Sequence, residues 1–264
     1  MSPNESVVTI ALLFPDLLGT YGDGGNATIL AQRLRWRGQA AEVITIRSGD
    51  AVPASADLYV VGGGEDLPQV LAARQLAGPP NLRRAAEAGA SVFAVCAGLQ
   101  ILGTTFDFAG PEGPKGEGLG LVDVSTGRST HPRAVGELVV DADPELGLPA
   151  LTGYENHSGA TVLGPGVKPL GRVRHGVGNG ASTNGTDTKL DGYWSGHLLG
   201  TYLHGPALAR NPALADLLLS WVVGDLSSLD DSESERLWTE RLKAAAAQSR
   251  GGNGVARRWW RGRR

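Results

Sequence analysis

The chain has 264 residues, a formal net charge of −3 and a single cysteine. That length allows a large α/β unit with a sizeable core, and the near-neutral balance gives no electrostatic reason to expect nucleic acid as a partner. One cysteine excludes an internal disulfide and a closed thiolate site, so no metal is expected. The absence of a bilayer-length apolar run or of a basic, then apolar, leader favours a reducing, cytoplasmic setting without a transmembrane segment.

Taken in chain order, strand and helix signals alternate. Val7-Val-Thr-Ile-Ala-Leu-Leu13 is a continuous apolar run, as expected of a strand buried on both faces of a parallel sheet, and a loop rich in Gly and Asp leads to a helix over roughly 26–36. Residues 41–46 read as a second strand and 56–61 as a third, which runs into Gly62-Gly-Gly64. Residues 68–89 read as helical apart from a break at Gly78-Pro-Pro80, and 91–95 as the strand that delivers Cys96. This βαβαβ rhythm predicts an α/β fold with a doubly wound, mainly parallel sheet flanked by helices, its ligands at the C-terminal strand ends. Between Gly110 and Gly200 the character changes. Glycines, Thr/Val pairs and short runs such as 134–140 predict β-hairpins and long loops that could extend the sheet and roof the site.

A short strand returns at 198–203, a helix follows over 212–223, and a charged helix over 233–248 leads into a tail. From Arg241 to Arg264 every charged residue is basic. The tail, ending Arg257-Arg-Trp-Trp-Arg-Gly-Arg-Arg264, reads as solvated; contact of its tryptophans with an anionic membrane surface is the competing reading. The expected division is a main domain over 1–225 and a C-terminal helix with basic tail over 226–264.

An isolated cysteine is ordinarily a small buried hydrophobe. The neighbours of Cys96 argue otherwise: Val92, Phe93 and Val95 are β-formers, Ala97 and Gly98 permit a tight turn, and Leu99, Ile101 and Leu102 begin a helix. A thiol at that junction stands near the positive end of the helix dipole, which favours the thiolate, in the setting of a nucleophile elbow. Such a thiol needs a base, and the chain offers five histidines. His204, in Leu199-Gly-Thr-Tyr-Leu-His204-Gly-Pro206, is placed at the end of a strand, where segments converge on a parallel sheet. His131, His157, His175 and His197 sit in loop-like contexts.

Cys96-Ala-Gly-Leu-Gln100 resembles the C-x-G-x-Q nucleophile motif of class I glutamine amidotransferases, and Gly200-Thr-Tyr-Leu-His204-Gly205 resembles the histidine segment of their cobyric acid synthase-like branch. Within that branch, Asp16-Leu-Leu-Gly-Thr-Tyr-Gly-Asp23-Gly-Gly-Asn26 and Gly153-Tyr-Glu-Asn-His-Ser-Gly159 look like the glutaminase subunits of lipid II isoglutaminyl synthases. The resemblance spans about residues 7–222 and implies a flavodoxin-like amidotransferase domain.

The resemblance implies that free L-glutamine binds beside Cys96, whose thiolate attacks the side-chain amide while His204 protonates the departing ammonia and then activates water against the thioester. Backbone N–H groups of Gly63 or Gly64, with that of Ala97, are the expected oxyanion hole; a plain tight turn or a phosphate loop are the other readings of the glycine run, and the latter lacks its Gly-Lys-Ser/Thr ending. Gln100 matches the motif position that helps hold the substrate, although it could instead cap local backbone. Arg133 matches the substrate-binding arginine, with Arg128 as second candidate, and Asn156 and His157 are expected to line the pocket.

The class I pattern commonly has His-x-Glu, but here His204 is followed by Gly205-Pro206, so the site is expected to be a Cys-His dyad or to receive its carboxylate from elsewhere, a partner subunit being the preferred donor. No Walker-type loop is visible, and no cofactor is expected in this chain. The resemblance implies a Mur-ligase-like synthase partner, in a heterodimer or larger complex, that binds ATP and Mg²⁺, engages lipid II at the inner face of the membrane and uses the ammonia to amidate the α-carboxylate of D-glutamate in the stem peptide. The alternatives are an amidotransferase of cobalamin biosynthesis, against which Cys96 comes early for a fused N-terminal ATP-binding domain, and a non-catalytic scaffold with the same fold.

Overall fold

The computed structural model describes residues 6–107, 115–180 and 189–250. The basic tryptophan-containing tail, 251–264, lies outside the described residues. The first half of the chain builds a parallel sheet from β1 (Val8–Leu13), β2 (Ala41–Ile46), β3 (Leu58–Val61) and β4 (Ser91–Val95), joined later by β13 (Tyr193–Ser195) and β14 (Leu198–Thr201) in the order β13-β14-β4-β3-β1-β2. All neighbours pair in parallel except the edge strand β13, which runs antiparallel to β14. Every residue of β3 and β4 is buried, which explains a sequence that is apolar apart from Ser91 at the start of β4 and the Tyr59 hydroxyl. Helices α1 (Gly25–Trp36), α2 (Asp66–Leu76), α3 (Asn81–Glu87) and α4 (Ala97–Leu102) follow the first strands, and α5 (Ala207–Arg210) and α6 (Pro212–Val223) follow β14. The expected doubly wound α/β sheet is therefore present, with the segment read as one interrupted helix resolved into α2 and α3.

The middle of the chain departs from expectation in one respect. Among the described residues, its hairpins add only β13 to the main sheet and otherwise form two separate four-stranded sheets. One contains β5 (Thr105–Asp107), β6 (Lys115–Glu117), β7 (Val124–Arg128) and β10 (Gly159–Leu163); the other contains β8 (Ala134–Ala142), β9 (Leu151–His157), β11 (Gly171–His175) and β12 (Leu190–Asp191). The reason lies in patterning: β11 alternates between buried or half-buried and exposed residues, and β8 carries exposed positions at Val135 and Asp141 near its two ends, which suits sheets with a solvated face rather than the core of a parallel sheet.

Helix α7 (Ser232–Arg250) packs on this chain, against β8, β9, β11 and α5. Trp238 donates its indole N–H to the Ala150 carbonyl at 2.6 Å, and Ala245 is buried. The segment leading into α7 is fixed by a partly buried ion cluster. Arg33 of α1 grips Asp216 of α6 through Nε at 2.7 Å and Asp231 through Nη1 at 2.6 Å, while Arg37 also reaches Asp216 at 2.7 Å. Removing a guanidinium from water is costly, and here its donors are met by two carboxylates.

Candidate active site

Four connections on one end of the parallel sheet build the site. β4 ends at Val95, and Cys96 follows with φ 51° and ψ −105°, a conformation that a side chain with a Cβ rarely adopts. This kink turns the chain from strand to helix within one residue. It is held by three backbone hydrogen bonds: Cys96 N–H to Thr201 O at 2.9 Å, Gly98 N–H to Gly62 O at 3.1 Å and Gln100 N–H to Cys96 O at 3.1 Å. The strand-turn-helix elbow expected from the sequence is the observed geometry, its strain visible in the positive φ, and Cys96 lies at its apex, 5% exposed.

His204 is three residues past the end of β14 rather than at the strand terminus. Its backbone is locked to β9 by reciprocal bonds, Tyr154 N–H to His204 O at 3.1 Å and His204 N–H to Tyr154 O at 2.8 Å. Gly153 permits this approach, because a Cβ there would stand 2.6 Å from the Leu203 side chain. The imidazole Nδ1 faces both oxygens of Asp23, at 3.2 and 3.0 Å, and both residues are buried, at 1% and 0% exposure. Nε2 is buried without a hydrogen-bond partner. Burial by itself would favour the neutral ring, but hydrogen bonding to Asp23 and the proximity of Cys96 outweigh it and hold the His204 pKa up at about 10.

The carboxylate expected from a partner subunit is therefore supplied from within the chain, by Asp23 in the β1–α1 loop, 181 residues from His204. The local sequence around His204 does not reveal Asp23, because the two residues meet only once the sheet has formed. The available signal was an acid in the glycine-rich loop after the first strand, at the point where the sheet order reverses between β1 and β3.

The glycine run also differs in detail from expectation. The Gly63 N–H donates to Asp23 Oδ2 at 2.8 Å, so it is committed to the carboxylate and is not the free oxyanion donor. A Cβ on Gly63 would lie 2.6 Å from His204 Cε1 and 3.3 Å from Cys96 Cβ, which places this glycine between the two side chains. Gly64 lines the cavity beside Cys96, and Ala97 opens α4 directly after it.

That cavity, about 170 Å³, is walled on one side by Gly64, Glu65, Gln69, Cys96 and Gln100 from the parallel half, and on the other by Arg128, Arg133, Asn156, His157 and Gly159 from the antiparallel sheets. Of the five histidines, only His157 and His204 are at the site: His157 is not in a loop but ends β9, buried, and stacks on Tyr202 with ring centroids 3.8 Å apart. Glu155 stands 3.4 Å from its Nε2 and accepts the Val177 and Gly178 N–H groups at 2.8 and 2.9 Å. Gln100 does not cap backbone through its side chain. Its Oε1 accepts from Gln69 at 2.9 Å and its Nε2 donates to the Tyr202 hydroxyl at 3.0 Å, so Gln69 and Tyr202, neither visible as site residues in the sequence, orient it. Asp191, buried and pushed up to about 7 by desolvation, accepts from the Thr201 hydroxyl at 2.6 Å and the Tyr202 N–H at 3.2 Å, and so braces the segment that carries His204.

Arg133 is exposed at the cavity mouth, where Nε donates to Asn156 Oδ1 at 2.5 Å and Nη2 to the Tyr21 hydroxyl at 3.2 Å. Tyr21 in turn donates to Glu65 at 2.8 Å and lays its ring 4.7 Å from that of His204, tilted by 58°. Desolvation and the neighbouring Glu65 push its phenol up to about 12, so the hydroxyl stays a donor at neutral pH.

Comparison with known proteins gives this arrangement a family. Residues 9–212 match the CobB/CobQ-like glutamine amidotransferase domain. The chain is 36% identical over 214 residues to the lipid II isoglutaminyl synthase (glutamine-hydrolyzing) subunit GatD of Staphylococcus aureus strain N315, covering 80% of this chain and 83% of that protein. It is 32% identical to the subunit of the same name from Streptococcus pneumoniae strain ATCC BAA-255 / R6, covering 81% and 79%. A crystal structure of a glutamine amidotransferase shares the fold with a TM-score of 0.55 at 19% identity, covering 82% of this chain and 99% of the other. With a strained cysteine elbow, a buried histidine paired to a carboxylate and a domain match across most of its length, the chain belongs to the CobB/CobQ-like glutamine amidotransferases.

Proposed function

We propose that this chain is the glutaminase subunit of a lipid II isoglutaminyl synthase, hydrolysing L-glutamine through a Cys96 thioester and passing ammonia to an ATP-dependent partner. The reading of the chemistry rests on one observation above the others: a buried His204 with Nδ1 held by Asp23 and Nε2 left without a partner beside Cys96. Asp23 fixes the imidazole orientation and favours the charged ring beside the Cys96 sulfur. The thiolate attacks the amide carbon, and His204 delivers the Nε2 proton to the departing ammonia. The neutral ring then takes a proton from water as that water attacks the thioester, regenerating Cys96 and releasing glutamate. Gly64 and Ala97 N–H groups receive the oxyanion in both steps, Arg133 pairs with the substrate carboxylate, and Gln100, Asn156 and His157 shape the pocket.

The partner reading rests on the relatives. The two named as subunits of lipid II isoglutaminyl synthase are matched over 83% and 79% of their own lengths, whereas the cobyric acid synthase of Methylocella silvestris, 37% identical, is matched over 32% of its length. The partner is a Mur-ligase-like subunit that binds ATP and Mg²⁺, activates the α-carboxylate of D-glutamate in lipid II and converts it to D-isoglutamine at the inner face of the membrane. Co-purification with such a synthase, followed by assay of lipid II amidation with glutamine, ATP and Mg²⁺, tests it. Glutamine-dependent amidation is expected; glutaminase activity with no transfer to lipid II would reject the acceptor, and no glutaminase activity would reject the whole reading.

A further inference from the structure

Free glutamine is a zwitterion, and the site as described accounts for only one of its two α-substituents. We infer that Glu65 reads the α-ammonium group and makes the cavity selective for free glutamine over molecules in which that nitrogen is missing or acylated; the inference rests on the reading of the cavity as a glutamine site. The α-ammonium and α-carboxylate hang from one carbon, so their partners must be neighbours. Glu65 lines the same cavity as Arg133, and a single hydroxyl separates them: Tyr21 Oη donates to Glu65 Oε1 at 2.8 Å and accepts from Arg133 Nη2 at 3.2 Å. Anion, hydroxyl and cation thus form a short row at the mouth, beside the catalytic pair, because the Tyr21 ring also packs against His204. The row comes from three separate parts of the fold, the β1–α1 loop, the residue that precedes α2, and the segment before β8. A bound amino acid would align its carboxylate with the cation and its ammonium with the anion; reversing it would set like charges together at both ends. The exposure of Glu65 in the free protein fits this role, since the carboxylate loses water only when the ligand covers it.

The test measures binding rather than turnover. Full-length Cys96→Ala protein is titrated calorimetrically with L-glutamine and with glutaramate, the analogue in which hydrogen replaces the α-ammonium. L-glutamine is expected to bind more tightly. Adding Glu65→Gln, which keeps an acceptor for Tyr21 and removes the charge, is expected to weaken L-glutamine by about 10-fold and to leave glutaramate within about two-fold, so that the preference collapses. Arg133→Ala should weaken both. Equal loss for both ligands in Glu65→Gln, or loss for neither, overturns the assignment, as does a selective loss in Asp66→Asn or Asp107→Asn instead, the two other acids among the described residues of the cavity. If the protein with Glu65 intact binds neither compound, the glutamine-site reading falls and takes this inference with it. If L-glutamine binds and Glu65→Gln leaves that binding untouched, only the inference falls.

Discussion

The parallel sheet and the antiparallel sheets face each other across the cavity with different physical characters. Asp23, Gly63, Cys96 and His204 lie on the connections that follow β1, β3, β4 and β14, almost wholly buried and fixed by hydrogen bonds to backbone or to one another. Arg133 and Asn156 arrive from the antiparallel side, with Arg133 exposed at the mouth and bonded through its long side chain. Bond making needs groups held to a fraction of an ångström in a dry site, whereas recognition of a small charged molecule tolerates, and uses, side chains that can re-form their contacts on binding. If this division is right, variants on the parallel side should lower kcat and variants on the antiparallel side should raise KM.

The largest effect is expected at Cys96. In the assembled synthase, Cys96→Ser should lower glutamine-dependent amidation by ~10⁴-fold or more while sparing synthesis from added ammonia; loss of both activities would make the cysteine structural. Next comes Asp23→Asn, for which a fall of ~10³-fold in kcat with little change in KM is expected. The same variant should alter a titration. His204 in the intact site is held up at about 10, above the ordinary 6.5, so its charge contributes to stability fully below pH ~6.5, and that contribution is lost as pH rises through about 10. Without Asp23, burial acts with less opposition, and the ring should release its proton at a lower pH, readable by NMR of the imidazole nitrogens. An unchanged His204 titration would remove Asp23 from the catalytic arrangement.

A smaller effect, ~10²-fold in kcat, is expected of Gly63→Ala, whose methyl would intrude 2.6 Å from His204 Cε1 and separate base from nucleophile. Measured melting temperature should change little compared with the rate; a parallel collapse of both would mean that the glycine serves folding and not alignment. Arg133→Ala should act least on chemistry, raising the glutamine KM by ~10-fold with kcat nearly unchanged. A large kcat loss there would erase the distinction between the two sides.

The same division governs how much could be read from sequence. Strand 91–95 and helix 212–223 coincide with β4 and α6, because a strand buried on both faces and an apolar helix bounded by Pro and Gly write themselves locally; strand 41–46 coincides with the edge strand β2, whose β-branched Val43, Ile44 and Ile46 are half-buried. Cys96 and His204 were visible for the same reason, each being next to a continuous apolar run. In the antiparallel region only the run at 134–140 stood out, as part of β8, since short strands rich in glycine have weak period-two patterns and their pairing depends on distant partners such as Tyr154 and His204. Asp23 was written in the sequence but not assigned, as its partnership with His204 exists only after the sheet forms. Gln69, Tyr202 and Glu155 were invisible as site residues, because a buried polar side chain declares itself through the hydrogen bonds it must satisfy.

The ion cluster at Arg33 sets a limit on how the chain can be shortened. Every residue assigned to the cavity lies before residue 213, yet Arg33 is satisfied in part by Asp231, beyond the last turn of α6. A protein ending at Asp225 would keep every residue assigned to the cavity but leave Nη1 of the buried Arg33 guanidinium without its carboxylate, with Asp216 as its one remaining anion. The shortest chain that contains the chemistry is therefore not the shortest that keeps its charges matched, and a truncated enzyme is expected to lose expression yield and heat tolerance before it loses any step of catalysis.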